Sequence, residues 1–371
     1  MAYFAHKDFF GDTGLYEFVQ QVMSGELTLS WYHPGTEPAR CRPASAVRGL
    51  TYADCNVGTY GYDGIPEFVR GRNSMAARGS LLWGALPDIG YTVNRKSDVW
   101  SDNVVALYEE AKTRRWTPAI DIPWATLADA VRPPTLEAAT AQLCTTLEEM
   151  ALVAMEAPGR WVYLINQEFL EVKSFLCGQM LDEARHVEVF RKRALTGGQG
   201  LKRASAPVEQ ALRELLAAET YPQASLGINV VLGSLQLAIY RHLAAVADSD
   251  ADRRIFGFSM QDAARTVAYG CGALRYHLAA QPHQARALCE RLLETEHTIV
   301  GLLGSPELSE PLIILSGGGL EAEQRLRGAA RVRRWLRRTV EELFARLRHA
   351  GLGSYPQESR LPACFANALA A

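Results

Sequence analysis

Glu183 and His186 stand three residues apart in MLDEARHVEVF, inside a strongly helical run. That spacing puts a carboxylate and an imidazole on one helix face, where both can reach a single divalent ion. In helical bundles that bind two metals, two helices each supply a Glu-x-x-His pair and two others each supply one Glu, all pointing inward. A second copy of the pattern follows. LDEARHVEVF (181–190) aligns with MQDAARTVAYG (260–270), matching Asp182 with Asp262, Ala184 with Ala264, Arg185 with Arg265 and Val187 with Val267. Upstream, LEEMALVA (147–154) aligns with LGSLQLAI (232–239) in its leucine spacing. The chain therefore reads as a doubled helix pair. Glu294 and His297 form another Glu-x-x-His, but no matching helix accompanies them and they read as a surface or capping pair. GTYGYDG (58–64) has glycines without a strand-turn-helix context, so it is not a phosphate loop.

Apolar residues at three- and four-residue spacing predict helices over about 135–157, 161–196, 206–219, 224–247, 251–281, 284–302 and 320–349. APG (157–159), TGGQG (196–200) and SGGG (316–319) mark the breaks. Long helices joined by short turns imply antiparallel packing, so the fold class is all-α: a helical bundle over 131–371. Residues 1–130, rich in Gly, Pro, Tyr and Trp, predict a loop-rich extension packed on it, with one clearer helix near 103–115 and an extended RRWTPAIDIPW.

Composition narrows the function. Lys and Arg number 39 against 41 Asp and Glu, a net charge of -2, so no overall basic field is available to hold nucleic acid. Seven scattered cysteines with no CxxC pair argue against a disulfide framework or structural zinc and fit a reducing cytoplasm. The first residues lack a signal-peptide core, and Ala224–Ala247, interrupted by Asn229, Arg241 and His242, reads as a buried helix rather than a membrane span. The basic, amphipathic LRGAARVRRWLRRTVEELFARLRHAGL reads as a surface helix whose arginines cover apolar neighbours.

DEARHVEVF on a long helix, a carboxylate on the helix before it and the second DxARxVAYG copy resemble the ferritin-like diiron oxygenases. That superfamily includes the ribonucleotide reductase small subunit and the arylamine N-oxygenases, and RRWTPAIDIPW is similar to a segment of the N-oxygenase branch. The resemblance covers about 105–300 and implies a ferritin-like bundle with a metal site. Carried over, the ligands of the first half are Glu183, His186 and Glu148, with Glu137 and Glu149 as competitors for the single-carboxylate role. The second half has lost all three: Gly233, Ala263 and Thr266 stand where ligands belong. What remains resembles a ligand set for a single Fe(II) or Mn(II) ion. In this family the Asp before each pair orients the histidine of the other half, a role that falls to Asp262 for His186 and leaves Asp182 as its counterpart; Asp262 and Arg265 read equally as a structural ion pair. Phe190 stands where the reductase subunit keeps its radical tyrosine, which argues against nucleotide reduction. Two functions follow: an oxygenase-like enzyme with a small-molecule substrate in a pocket walled by Cys144, Gln179 and Gln236, or a metal-free paralogue, non-redox or packed against a catalytic paralogue. A homodimer fits either.

Overall fold

A computed structural model describes residues 91–128, 132–196, 199–204 and 206–362, together with Glu17 and Ser24. Thr92–Ala371 forms one compact unit. The greater part of the expected extension, residues 1–90, lies outside the described residues apart from those two positions. Residues 92–128 carry helix α1 (Val104–Thr113) and short turns of helix at Lys96–Val99, Pro118–Asp121 and Ala125–Ala128.

Two long hairpins make the centre. The first is α2 (Pro134–Leu164) with α3 (Leu170–Thr196). The second is α5 (Tyr221–Val246) with α6 (Asp250–Ala280). Their starts carry the expected chemistry. Pro134 opens α2 with a preset φ, and Ser249 Oγ caps α6 by accepting from the Asp252 N–H at 3.0 Å. Around them pack α4 (Ala206–Leu216), α7 (Gln284–Gly304), α8 (Pro306–Gly317) and α9 (Ala322–His349). The core between the hairpins includes Leu143, Leu147, Met150, Phe190, Ile239, Tyr240 and Phe256. Among the described residues the only strand-like pairing is an isolated bridge, Val93 to Ile165. One described helix, Tyr221–Val246, is long and apolar enough to cross a membrane, and 72% of its most apolar window is buried inside the structure.

The expected break at APG is not there. Pro158 sits inside α2, and the chain reverses at 165–169 instead. An interior proline removes one backbone hydrogen bond, but the residues around it gain tertiary contacts: Pro158 and Trp161 are buried, and the Trp161 ring meets Tyr221 edge-on at 5.8 Å. The shift moves the hairpin register by about two helical turns on each strand of the hairpin. Counting back from the observed turn, Glu183 lies level with about residue 151, within a turn of Glu148 and far from Glu137. Helix α8 was also not expected from the sequence, because prolines 306 and 311 bracket its start.

Helices α8 and α9 approach closely where glycine faces backbone. A Cβ on Gly328 would lie 2.1 Å from the Ile313 carbonyl oxygen and 3.0 Å from the Gly317 nitrogen. Neither atom can rotate away, so Gly328→Ala is expected to destabilise the chain by about 1–3 kcal/mol through overpacking. A urea midpoint equal to wild type would show that the two helices separate without cost.

Candidate metal centre

Helices α3 and α6 meet through the two repeat copies. Asp182, Glu183, Arg185 and His186 from α3 face Asp262 and Arg265 from α6, and all six are buried. Arg185 pairs with Asp182 on its own helix and reaches Asp262 at 3.2 Å. Arg265 mirrors it, pairing with Asp262 on its own helix and reaching Asp182 at 2.9 Å. Each copy thus donates a guanidinium to the carboxylate of the other. Buried charges persist only when paired in this way.

His186 is held at both ring nitrogens. Its Nε2 lies 3.3 Å from Asp262 Oδ2, and its Nδ1 lies 3.0 Å from Glu183 Oε2. Trp116 Nε1 donates to the same Asp262 oxygen at 2.8 Å, and the Arg185 guanidinium lies 5.1 Å from the Trp116 ring. Burial alone would push the imidazole down, but the Glu183 and Asp262 carboxylates outweigh it and hold the imidazolium up to about 10. Burial would likewise raise Asp262, yet the hydrogen bond from His186 and the charges of His186 and Arg265 bring it to about 2. With His186 protonated, three carboxylates face three cations, and the cluster is neutral.

The remaining expected residues have partners outside this cluster. Glu148 is buried on α2 with its carboxylate 2.8 Å from Arg191 Nη1. Glu137 is taken by Arg193, bidentately at 2.9 and 3.0 Å, and by Arg132 at 3.0 Å. Glu149 is only half-buried, and burial with the neighbouring Glu148 charge raises its carboxyl. Among the described residues no three His, Cys, Asp or Glu side chains converge in a geometry that could hold a metal ion. Cys144, Gln179 and Gln236 are fully packed. Burial pushes the Cys144 thiol up to about 12, Gln179 Nε2 donates to Asn229 Oδ1 at 2.9 Å, and Gln236 Nε2 donates to the Tyr240 hydroxyl at 3.3 Å. None of the three lines the apolar cleft described below.

The second half is filled with protein. Gly233, Ala263 and Thr266 are buried, and a Cβ on Gly233 would lie 3.2 Å from Val267 Cγ2 and 3.6 Å from Thr266 Cγ2. Carbon therefore lies where a second set of ligands would have to enter. Two further residues surround His186 that the sequence did not assign to the site. The Tyr240 ring meets the imidazole edge-on at 5.7 Å, and Trp116 lies 6.4 Å away in a stacked arrangement. For Trp116, its place in RRWTPAIDIPW was the available signal; for Tyr240 there was none.

Solved structures share this fold. A single-residue variant of an R2-like ligand-binding oxidase with an anaerobically reconstituted Mn/Fe cofactor superposes with a TM-score of 0.50, at 18% identity over 67% of this chain and 94% of that one. A second variant of that oxidase, aerobically reconstituted, gives a TM-score of 0.50, 18% identity and the same coverage. The chain has the ferritin-like fold. No family model matches the sequence, and no curated protein does.

A ferritin-like bundle offers two metal half-sites, and the fit differs between them. In the second, glycine, alanine and threonine leave no ligand set for a second ion. In the first, His186 Nδ1 and Glu183 Oε2 are 3.0 Å apart, the separation of two donors on one ion with bonds of about 2.1 Å meeting at a right angle. With Asp262 on Nε2, such an ion would take the place of the Nδ1–Glu183 hydrogen bond.

Proposed function

We propose that this ferritin-like chain holds a single Fe(II) or Mn(II) ion between Glu183 and His186 Nδ1, with Glu148 as the third ligand, and oxidises a small organic molecule. The observation that carries the reading is the line Asp262–His186–Glu183, in which the opposite half of the bundle fixes the imidazole and aims Nδ1 at a carboxylate. A bound ion with open positions would supply dioxygen and one-electron chemistry. The protein's own contribution is orientation and dryness. Asp262 and Trp116 fix the imidazole plane, Tyr240 and Phe190 exclude water from it, and Glu148, paired here with Arg191, would have to give up that partner to serve as a ligand. Arg191 is more than half exposed, so its guanidinium returns to solvent at little cost.

The test is anaerobic loading with Fe(II) or Mn(II) followed by elemental analysis. About one ion per wild-type chain is expected, none in His186→Ala and weakened retention in Glu148→Ala. A second reading is favoured by the neutral ion-pair cluster and by the carbon-filled second half: a metal-free paralogue, non-redox or a partner of a catalytic subunit. Wild-type protein that takes up no ion sinks the first reading and leaves the second.

A further inference from the structure

On the face of α5 turned away from His186, the described residues form an apolar cleft of about 80 Å³ that opens to solvent. Helices α4, α5, α7 and α9 wall it, and Leu226, Val231, Leu292, Ile299, Val340 and Leu343 give it an apolar lining. Residues Leu226–Leu232 of α5 form a π-helical segment. Such segments widen a helix and recur at functional sites.

One polar atom at this wall is left over. Ser234 is 2% exposed, lines the cleft, and its Oγ has no hydrogen-bond partner among the described residues. The other hydroxyls there are spent on their own helices: Thr295 on Arg291 and Leu292 carbonyls at 3.2 and 3.0 Å, Thr298 on the Thr295 carbonyl at 2.7 Å, and Thr339 on the Trp335 carbonyl at 2.8 Å. A buried hydroxyl without a partner calls for one supplied from outside the protein. The charges among the lining residues are one of each sign, Glu214 and Arg291. Glu214 lies 3.7 Å from the His297 imidazole, and Arg291 pairs with Glu294 at 3.5 Å. That rim selects neither an anionic nor a cationic head group.

We propose that this cleft is a binding site for an uncharged, largely apolar small molecule carrying one hydrogen-bonding group, which meets Ser234 Oγ. An apolar cavity with few placed polar groups is the usual form of such sites. The assignment does not depend on whether an ion binds at His186, because none of the residues proposed to hold it lines the cleft.

The full chain is titrated with Nile red, a neutral dye with carbonyl and amine groups, and its emission is followed. Saturable binding of about one dye per chain with blue-shifted emission is expected. Ser234→Ala should weaken it several-fold, and Val340→Trp, at a half-buried position that points into the cleft space, should abolish it. Unchanged urea midpoints in both variants separate lost binding from lost folding, and Ile299→Trp serves if Val340→Trp does not fold. Non-saturating binding, or binding indifferent to the tryptophan variant, overturns the site. So does sedimentation showing a dimer that Val340→Trp dissociates, since the cleft is then filled by a second copy. An anionic dye, anilinonaphthalene sulfonate, binding as tightly as Nile red overturns the neutral-ligand assignment.

Discussion

Replacing Arg265 by leucine is expected to cost about 3–5 kcal/mol of stability, because it strands buried carboxylates rather than merely deleting a contact. Arg265 bonds Asp182 at 2.9 Å and also pairs with Asp262. Without it, Asp182 keeps only Arg185, and the cluster carries one uncompensated negative charge in a site closed to water. Urea denaturation reads the loss directly. The double variant Arg265→Leu with Asp182→Leu restores the charge balance and should recover a large part of it. A single-variant cost below about 1 kcal/mol, the range of exposed ion pairs, would mean that water reaches the cluster.

The second large effect is a loss of stability with rising pH in metal-free protein. His186 titrates near 10 when folded against an ordinary 6.5. Its contribution is therefore complete below pH 6.5 and disappears as pH climbs from 6.5 towards 10. At about 1.4 kcal/mol per pH unit the alkaline limb amounts to ~5 kcal/mol at most. Asp262, lowered to about 2, contributes above pH 3.8 and loses its contribution as pH falls towards 2. Asp182, raised by burial and by the Asp262 charge, works in the opposite sense, so the acid limb is the shallower one. His186→Gln should flatten the alkaline limb. Loading with Fe(II) should flatten it too if an ion replaces the proton on Nδ1. An alkaline limb equally steep in wild type and His186→Gln would mean that other groups cause it.

The sequence carried the all-α class and most helices because their buried stripes repeat at helical spacing over long runs. The two DxAR copies also announced that α3 and α6 correspond. The α2–α3 turn was misread because proline is a local signal, whereas the burial of Pro158 and Trp161 is decided by Tyr221, about sixty residues further on. The same error distorted the register and kept Glu137 in contention beside Glu148. Glu137, with Arg193, Arg132 and Asp252, belongs to a separate ion-pair group. Partner choices of that kind are set by rotamers and neighbouring helices, not by spacing. Tyr240 and the cleft behind Ser234 lie in the same class: each exists only once several helices are assembled.

The crossed exchange between Asp182–Arg185 and Asp262–Arg265 also bears on how such a chain can change over generations. Ligands in one copy can lapse singly, since alanine or glycine leaves nothing unpaired. The four exchanged charges cannot, because each is the other copy's counterion. The two halves are free to diverge in what they hold and bound to inherit together what they trade, so neither half is expected to survive transplanted into another bundle alone.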